Sequence, residues 1–156
     1  MRPRVSPRIR QEDAPRRCVW GNRAGRSGMN DVSFVFALLL TYQAKHFISD
    51  YLLQTTWMAN GKMKPGWGFL YPLTLHVLIH SVLTFIIVMM VNPSLWWLAL
   101  VDFAAHFFMD RIKSARSLLG RFGDPRRQSF WIAFGFDQMI HHLTHYFIIW
   151  QLVTNR

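Results

Sequence analysis

Residues 102–110 read DFAAHFFMD, an apolar run in which a polar residue returns at every fourth position, as Asp102, His106 and Asp110. At about 100° per residue, a spacing of four keeps these side chains on one face of a helix. The other residues of the run are all apolar. The segment therefore predicts a helix in an apolar environment, with one narrow polar face that needs partners.

The same spacing recurs in three further apolar segments. Their polar residues are His46, Asp50 and Gln54; His76 and His80; and Asp137, His141 and His145. A charged Asp at membrane depth costs about 2.5–3.5 kcal/mol, so ionisable groups there normally mark a working site. Hydrogen bonds that only pack helices together average about 0.6 kcal/mol in a membrane protein, which is too little to account for so many polar groups. The pattern predicts one functional site shared by four helices.

The composition is typical of a small polytopic membrane protein. Of the 156 residues, 51% are hydrophobic and 15% aromatic, and the charges are concentrated between the apolar segments. Runs of about 20 apolar residues are long enough to cross a bilayer. We therefore predict an all-α fold, an integral membrane bundle of four transmembrane helices. The predicted spans cover about residues 31–54, 71–91, 94–110 and 130–152, in a domain of residues 29–156.

The first 28 residues differ from the rest of the chain. Residues 1–28 contain eight Arg against Glu12 and Asp13, and they lack apolar periodicity. This composition predicts a disordered basic tail, with Met29 as the natural start of the protein. The tail supplies most of the net charge of +10, and no zinc-finger framework or RNA-binding aromatic strand accompanies it. Nucleic acid is therefore not an expected partner.

The basic residues of the domain predict its orientation in the membrane. They lie in the two loops that follow the first and third spans: Lys62, Lys64, Arg111, Lys113, Arg116, Arg121, Arg126 and Arg127. If the chain starts at Met29, the positive-inside rule places both loops in the cytoplasm and both termini in the periplasm of a bacterial inner membrane. With residues 1–28 included, the rule is ambiguous.

The expected partners are the lipid bilayer and anionic lipid headgroups, and so few spans also suggest a homo-oligomer.

This topology places the polar faces at one depth, in the cytoplasmic leaflet. Histidine and aspartate from neighbouring helices are a natural ligand set for a divalent metal such as Zn, Mn or Fe. The candidate metal ligands are His46, Asp50, His76, His80, Asp102, His106 and His141. In a hydrolase, Asp110 or Asp137 would be the general base, and Lys113 would hold an anionic headgroup.

Several further polar residues have less specific expectations. Gln54 and Gln138 are expected to donate or accept hydrogen bonds beside the ligands. His145 suits a buried core position as well as a ligand position, and His142 is expected to face a neighbouring helix or the headgroups. Lys45 is expected to extend towards the headgroups, whereas Lys113 either does the same or pairs with Asp110. These candidate assignments remain open at the level of the sequence.

Three functions are compatible with this pattern. The first is a metal-dependent hydrolase of a lipid or phosphate ester, the second a small transporter of protons or metal ions, and the third a structural or partner-binding subunit. A conduit needs polar groups through the whole membrane. The far halves of the first two spans, FVFALLL (34–40) and LTFIIVMMVN (83–92), are apolar. This favours a site that opens to one side only.

The motifs resemble those of the domain of unknown function 3307 family, a group of small bacterial inner-membrane proteins. The resemblance spans about Phe34 to Leu152. It depends on HFISDYLLQ (46–54), the A-x-x-K of residues 59–62, HVLIH (76–80), DFAAHFFMDRIK (102–113) and DQMIH (137–141). It implies a multi-pass membrane protein with these residues as site candidates, and it implies no particular reaction. The Arg-rich tail departs from the family pattern.

Overall fold

The computed structural model of the protein describes residues 23–155, with side chains from Asn30 onward. Its five α-helices are α1 (Arg23–Phe47), α2 (Thr56–Gly61), α3 (Leu70–Val91), α4 (Leu98–Ser114) and α5 (Gln128–Thr154). A π-helical turn (Ile48–Leu52) extends α1, and 3-10 turns (Pro93–Leu95 and Leu119–Phe122) precede α4 and α5. The all-α prediction is confirmed for this part of the chain, in which no strand is found.

The long helices follow the order of the predicted spans but differ from them at the ends. Helix α1 begins at Arg23 rather than near residue 31, since no proline interrupts the chain between this residue and Pro65. Helix α4 begins at Leu98, because Pro93 starts a 3-10 turn that must end first. Residues 1–22 lie outside the described residues. Disorder therefore stays a prediction for residues 1–22, as does the start at Met29, whereas residues 23–28 of the predicted tail belong to α1.

The polar stripes continue at the same four-residue spacing into a buried apolar cluster. The apolar positions that extend them are Leu38, Val88, Leu98 and Ile149, each at most 5% exposed. Leu98 and Ile149 lie four positions from Asp102 and His145, and Leu38 and Val88 lie eight positions, two steps of the same spacing, from His46 and His80. Helices α1, α3, α4 and α5 therefore form a column that is polar at one end and apolar at the other.

Two helices are long and apolar enough to cross a membrane, among the residues that the structure describes. They are Asn30–Leu52 and Leu70–Val91, with mean hydropathies of 1.2 and 2.2. Only 28% and 33% of their most apolar windows are buried inside the protein. Most of their apolar surface therefore faces outward, unlike the surface of a core helix in a soluble domain.

The short helix α2 packs directly on the start of α3, and this contact orients Lys62 towards the polar column. Gly61 ends α2 against Pro72, and a Cβ atom at this position would overlap the proline ring carbons. The ring is rigid, so it cannot move aside as a flexible side chain would. Gly61 is therefore required by close packing rather than by its backbone angles.

We expect Gly61→Ala to destabilise the protein by about 1–3 kcal/mol, the usual cost of overpacking a tight contact. The measurement is the unfolding midpoint in detergent. Gly135→Ala is the matched control, because Gly135 lies inside α5 with no atom within 4 Å of an added Cβ. This control should be neutral or stabilising by up to about 1 kcal/mol. Equal effects of the two variants would contradict the packing argument.

Candidate functional site

Six histidine rings meet at the polar end of the column, and each is at most 4% exposed. The four long helices supply them: His46 from α1, His76 and His80 from α3, His106 from α4, and His141 and His145 from α5. The ring centroids of His80 and His106 are 4.1 Å apart, and those of His106 and His141 are 4.3 Å apart. The separate stripes of the sequence thus form one cluster in the structure.

Asp50 lies in the π-helical turn that extends α1, where the wider turn leads the chain out of the column. Its Oδ1 lies 3.1 Å from His80 Nε2 and 3.4 Å from His76 Nε2. Its Oδ2 lies 3.2 Å from His46 Nε2. No lysine or arginine pairs with Asp50 among the described residues, so its only charged or potentially charged partners there are imidazoles.

Each of the other three carboxylates in the cluster has a lysine on its Oδ2 atom. The pairs are Lys45–Asp102 at 2.7 Å, Lys62–Asp110 at 2.8 Å and Lys113–Asp137 at 2.5 Å. Four carboxylates and three ammonium groups leave the cluster with one uncompensated negative charge while the imidazoles are neutral. That charge belongs to Asp50. Asp50 is 23% exposed, so water solvates its charge only in part, and this corner of the cluster favours a cation.

The Oδ1 atoms of Asp102 and Asp137, which face away from the lysines, lie close to imidazoles but with poor hydrogen-bond geometry. Asp137 Oδ1 is 3.2 Å from His141 Nε2, and Asp102 Oδ1 is 3.3 Å from His106 Nδ1, yet neither oxygen accepts a well-formed hydrogen bond. Each of the six buried imidazoles also has one ring nitrogen without a partner, Nε2 in His106 and Nδ1 in the other five. Unpartnered buried polar atoms are rare in proteins. Their concentration makes this cluster the candidate binding site within the described residues.

Three of these imidazoles share the arrangement that metal-bound histidines normally have. His46 and His80 contact Asp50 through Nε2, while His106 Nδ1 lies 2.9 Å from the Asp102 carbonyl oxygen as well as near its carboxylate. A ligating histidine usually donates its second N–H to a carboxylate or carbonyl in this way. One potential ligand atom from each of the three rings lies within 4.8 Å of the others.

Three further groups bring potential ligand atoms equally close. They are Asp50–His76–His80, Asp102–His106–His145 and Asp110–Asp137–His141. In the second group, Lys45 Nζ already lies 2.7 Å from Asp102 Oδ2 and 3.4 Å from His145 Nε2. An ammonium group therefore occupies part of that space. The groups around Asp50 and His46 have no such competing cation.

A pocket of about 440 Å³ leads to the cluster between the π-helical turn, α2 and the segment before α5. Its polar lining consists of Asp50, Gln54, Lys62, Asp110, Lys113, Ser114 and Gln138. Its walls also carry Tyr51, Phe122, Phe130 and Phe134. Asp50 is 23% exposed, whereas Asp102 and Asp137 are almost fully buried. Asp50 and Asp110 are thus the carboxylates that a molecule in the pocket can reach.

Two expectations about lysines are wrong. Lys45 does not extend towards headgroups, because it is only 4% exposed and ion-pairs with Asp102 inside the column. Lys113 neither pairs with Asp110 nor extends freely to the headgroups. It crosses to Asp137 on α5 and lies half-buried over the Phe134 ring.

The remaining candidates lie in or beside the cluster. Gln138 contacts His46 at 3.3 Å and donates to Asp137 at 3.0 Å, as expected for a hydrogen-bond partner. Gln54 lines the pocket. His142 turns away from the ligand groups and contacts Gln43, as expected for a residue facing a neighbouring helix.

Three residues of the cluster are absent from the sequence-based candidates, and a fourth, Lys62, entered them only through the family resemblance. The three are Tyr42, Lys45 and Thr84. Tyr42 and Thr84 could have been found, because each continues the four-residue spacing of its stripe, and Thr84 donates to Asp102 Oδ2 at 2.8 Å. Lys62 belongs to the A-x-x-K motif. No pattern marks Lys45, since its role depends on how α1 packs against α4.

Comparison with known proteins identifies the family alone. The family model described as "Protein of unknown function (DUF3307)" matches residues 34–156. No curated protein matches the chain, and no solved structure does. The match covers all four long helices and every residue of the cluster. The chain therefore belongs to the DUF3307 family, and the family resemblance inferred from its motifs is confirmed.

Proposed function

We propose that the protein is a membrane-embedded, metal-dependent hydrolase that acts on an anionic amphiphile, a lipid or phosphate ester, from one side of the membrane. The observation that carries this proposal is the three-histidine group of His46, His80 and His106. In that group every ring has one nitrogen held by Asp50 or Asp102 and one without a partner. Three neutral imidazoles with an open position form a common catalytic zinc site.

The charge of the cluster supports a divalent cation at this position. With neutral imidazoles, the carboxylates and lysines leave one negative charge next to His46 and His80, on Asp50. A divalent cation with one anionic ligand from solvent or substrate would make the whole cluster neutral. Neutrality matters here because charges interact strongly and are poorly solvated in a protein interior. Zn, Mn and Fe are the candidates, since all three accept imidazole and carboxylate ligands.

The surface of the helices supports a four-helix bundle in a bacterial inner membrane. Helices α4 and α5 expose large apolar side chains, as α1 and α3 do: Leu100 is 58% exposed, Ile132 65% and Leu143 53%. Apolar surface of this extent on all four helices suits contact with lipid. The basic residues Lys64, Arg116 and Arg121 lie at the end of the column that holds the pocket, which supports a cytoplasmic opening and periplasmic termini.

The shape of the site supports hydrolysis over transport. The pocket reaches the cluster from one end, and the other end is closed by Leu38, Val88 and Leu98, each at most 5% exposed. A conduit would need polar groups beyond this apolar plug. The aromatic walls of the pocket suit the apolar part of a substrate, and Lys113, whose side chain is 38% exposed, can contact the anionic group while it pairs with Asp137.

The roles of the protein residues follow from their positions. A metal at this site would lower the pKa of a bound water to about 7 and polarise the ester. Asp110 lines the pocket, so we assign it, rather than the enclosed Asp137, as the group that accepts the water proton. The water oxygen would bond to the ester phosphorus or carbon, the ester bond to the leaving oxygen would break, and the leaving alkoxide would take the proton back from Asp110 to leave as the alcohol.

The wild-type protein, purified in neutral detergent without added metal, should contain about one divalent ion per chain. Elemental analysis measures this ratio. Prolonged dialysis against a chelator should abolish hydrolysis of a short-chain phospholipid, and one equivalent of Zn, Mn or Fe should restore it. Failure to retain or take up metal in several preparations would refute the proposal. Metal without hydrolysis of lipid or phosphate esters would refute the assigned reaction.

A further inference from the structure

A second pocket, of about 590 Å³, lies next to the first and has a strongly basic lining. It is formed by the end of α2, the loop that follows it, and the C-terminal end of α4. Three of its lining residues are cationic, Lys64, Arg111 and Arg116, and none is acidic. The side chains of Asn60 and Ser117 add neutral hydrogen-bond donors.

These three cations lack acidic partners in the part of the chain that the structure describes. Lys62 and Lys113, which flank them in sequence, are by contrast committed to Asp110 and Asp137. A cation at a helix C-terminus is explained by the helix dipole, and this accounts for Arg111 in the last turn of α4. It does not account for Lys64 or Arg116, which lie on loops. Together with Arg111, they place three positive charges around the pocket without an acidic partner among the described residues.

Arg111 is held in place for binding. Its guanidinium carbon lies 3.6 Å from the centroid of the Phe69 ring, and its Nη1 donates to the Lys62 carbonyl oxygen at 3.3 Å. A guanidinium group has five N–H donors, so most of them remain for a ligand. Because the planar guanidinium group is held in one orientation, two of its N–H groups can donate side by side to two oxygens of a phosphate group.

The basic pocket and the metal pocket have a common wall. Met63 lines both, and its neighbours diverge, with Lys62 pointing to the metal pocket and Lys64 to the basic pocket. An amphiphile anchored by its phosphate in the basic pocket can therefore reach the aromatic walls of the metal pocket. Binding in the basic pocket itself requires no metal.

We propose that the basic pocket binds a phosphate group, as carried by an anionic lipid headgroup or by free phosphate. This site goes beyond the proposed hydrolase, because it holds its ligand whether or not the histidine cluster hydrolyses anything. The expected contacts come from Arg111, Lys64 and Arg116. As these cations are accessible to solvent, the affinity should fall as salt is raised.

The test measures ligand-induced thermal stabilisation of the full chain in neutral detergent, with the metal site stripped by a chelator. Phosphatidylglycerol micelles and inorganic phosphate are titrated separately. The double variant Lys64→Gln/Arg116→Gln should bind about threefold to tenfold more weakly whichever of the two ligands stabilises the wild-type protein. Arg111 is left unchanged, since it packs on Phe69 and its loss would disturb the fold.

The matched control is the double variant Arg126→Gln/Arg127→Gln. It removes the same charge from the same side of the protein, but both residues lie outside the pocket and next to Asp124. The control should leave binding within about twofold of wild type. Stabilisation by phosphatidylglycerol alone would identify a lipid headgroup, and stabilisation by inorganic phosphate a free anion. Equal losses in both double variants, or no stabilisation by either ligand, would overturn the proposal.

Discussion

His106→Ala should leave the purified protein with less than a tenth of the wild-type metal content. His106 is central to the cluster: its ring stacks on His141 and lies 4.1 Å from His80, and its second nitrogen is held by Asp102. Without His106 only two imidazoles remain, one protein ligand fewer than the three that a catalytic zinc site uses. We expect the metal affinity to fall by more than about 100-fold and hydrolysis to be lost with it.

His46→Ala provides an independent second variant, because His46 comes from a different helix and has a different carboxylate partner, Asp50. The matched control is His142→Ala. His142 lies on α5, and its ring contacts that of His46, but it belongs to none of the potential ligand groups. It should retain its metal and its activity. The three-histidine assignment fails if His106→Ala and His46→Ala both keep stoichiometric metal in a folded protein.

Helical spacing was sufficient to predict that the histidines and aspartates of the four stripes form one cluster, and the reason is geometric. Each stripe repeats at four positions, so its members share a face whatever the helix packs against. In an apolar helix such a face has to turn inward. This is why His46, His80, His106 and His141 could be assigned to one centre without any knowledge of helix order.

The partners of the carboxylates could not be predicted in the same way. Lys45 reaches Asp102 across 57 positions of the chain, and Lys113 reaches Asp137 rather than the nearer Asp110. Both pairings depend on the rotation and offset of neighbouring helices, which spacing along a single helix does not specify. The sequence also gave no sign that α1 would widen into a π-helical turn at Asp50. That turn brings Asp50 between α1 and α3.

Breaking the buried Lys45–Asp102 pair should have the largest effect on stability. Both side chains are at most 3% exposed and their charged atoms are 2.7 Å apart. Among the residues that the structure describes, Lys45 supplies the one ammonium group in contact with Asp102, so Lys45→Met leaves the carboxylate Thr84 and its imidazole neighbours but no full counter-charge. We expect a loss of about 3–5 kcal/mol in the free energy of unfolding, measured by denaturant titration in detergent.

The double variant Lys45→Met/Asp102→Leu shows whether this loss comes from the stranded charge. Removing both charged groups leaves no uncompensated ion, so the double variant should recover more than half of the stability that Lys45→Met loses. The surface pair provides the control: Asp124→Asn leaves Arg126, which is 91% exposed, to be solvated by water, and should produce no measurable loss. If the loss in the double variant equals the sum of the losses in Lys45→Met and Asp102→Leu, the two residues contribute independently, and charge balance does not organise the cluster.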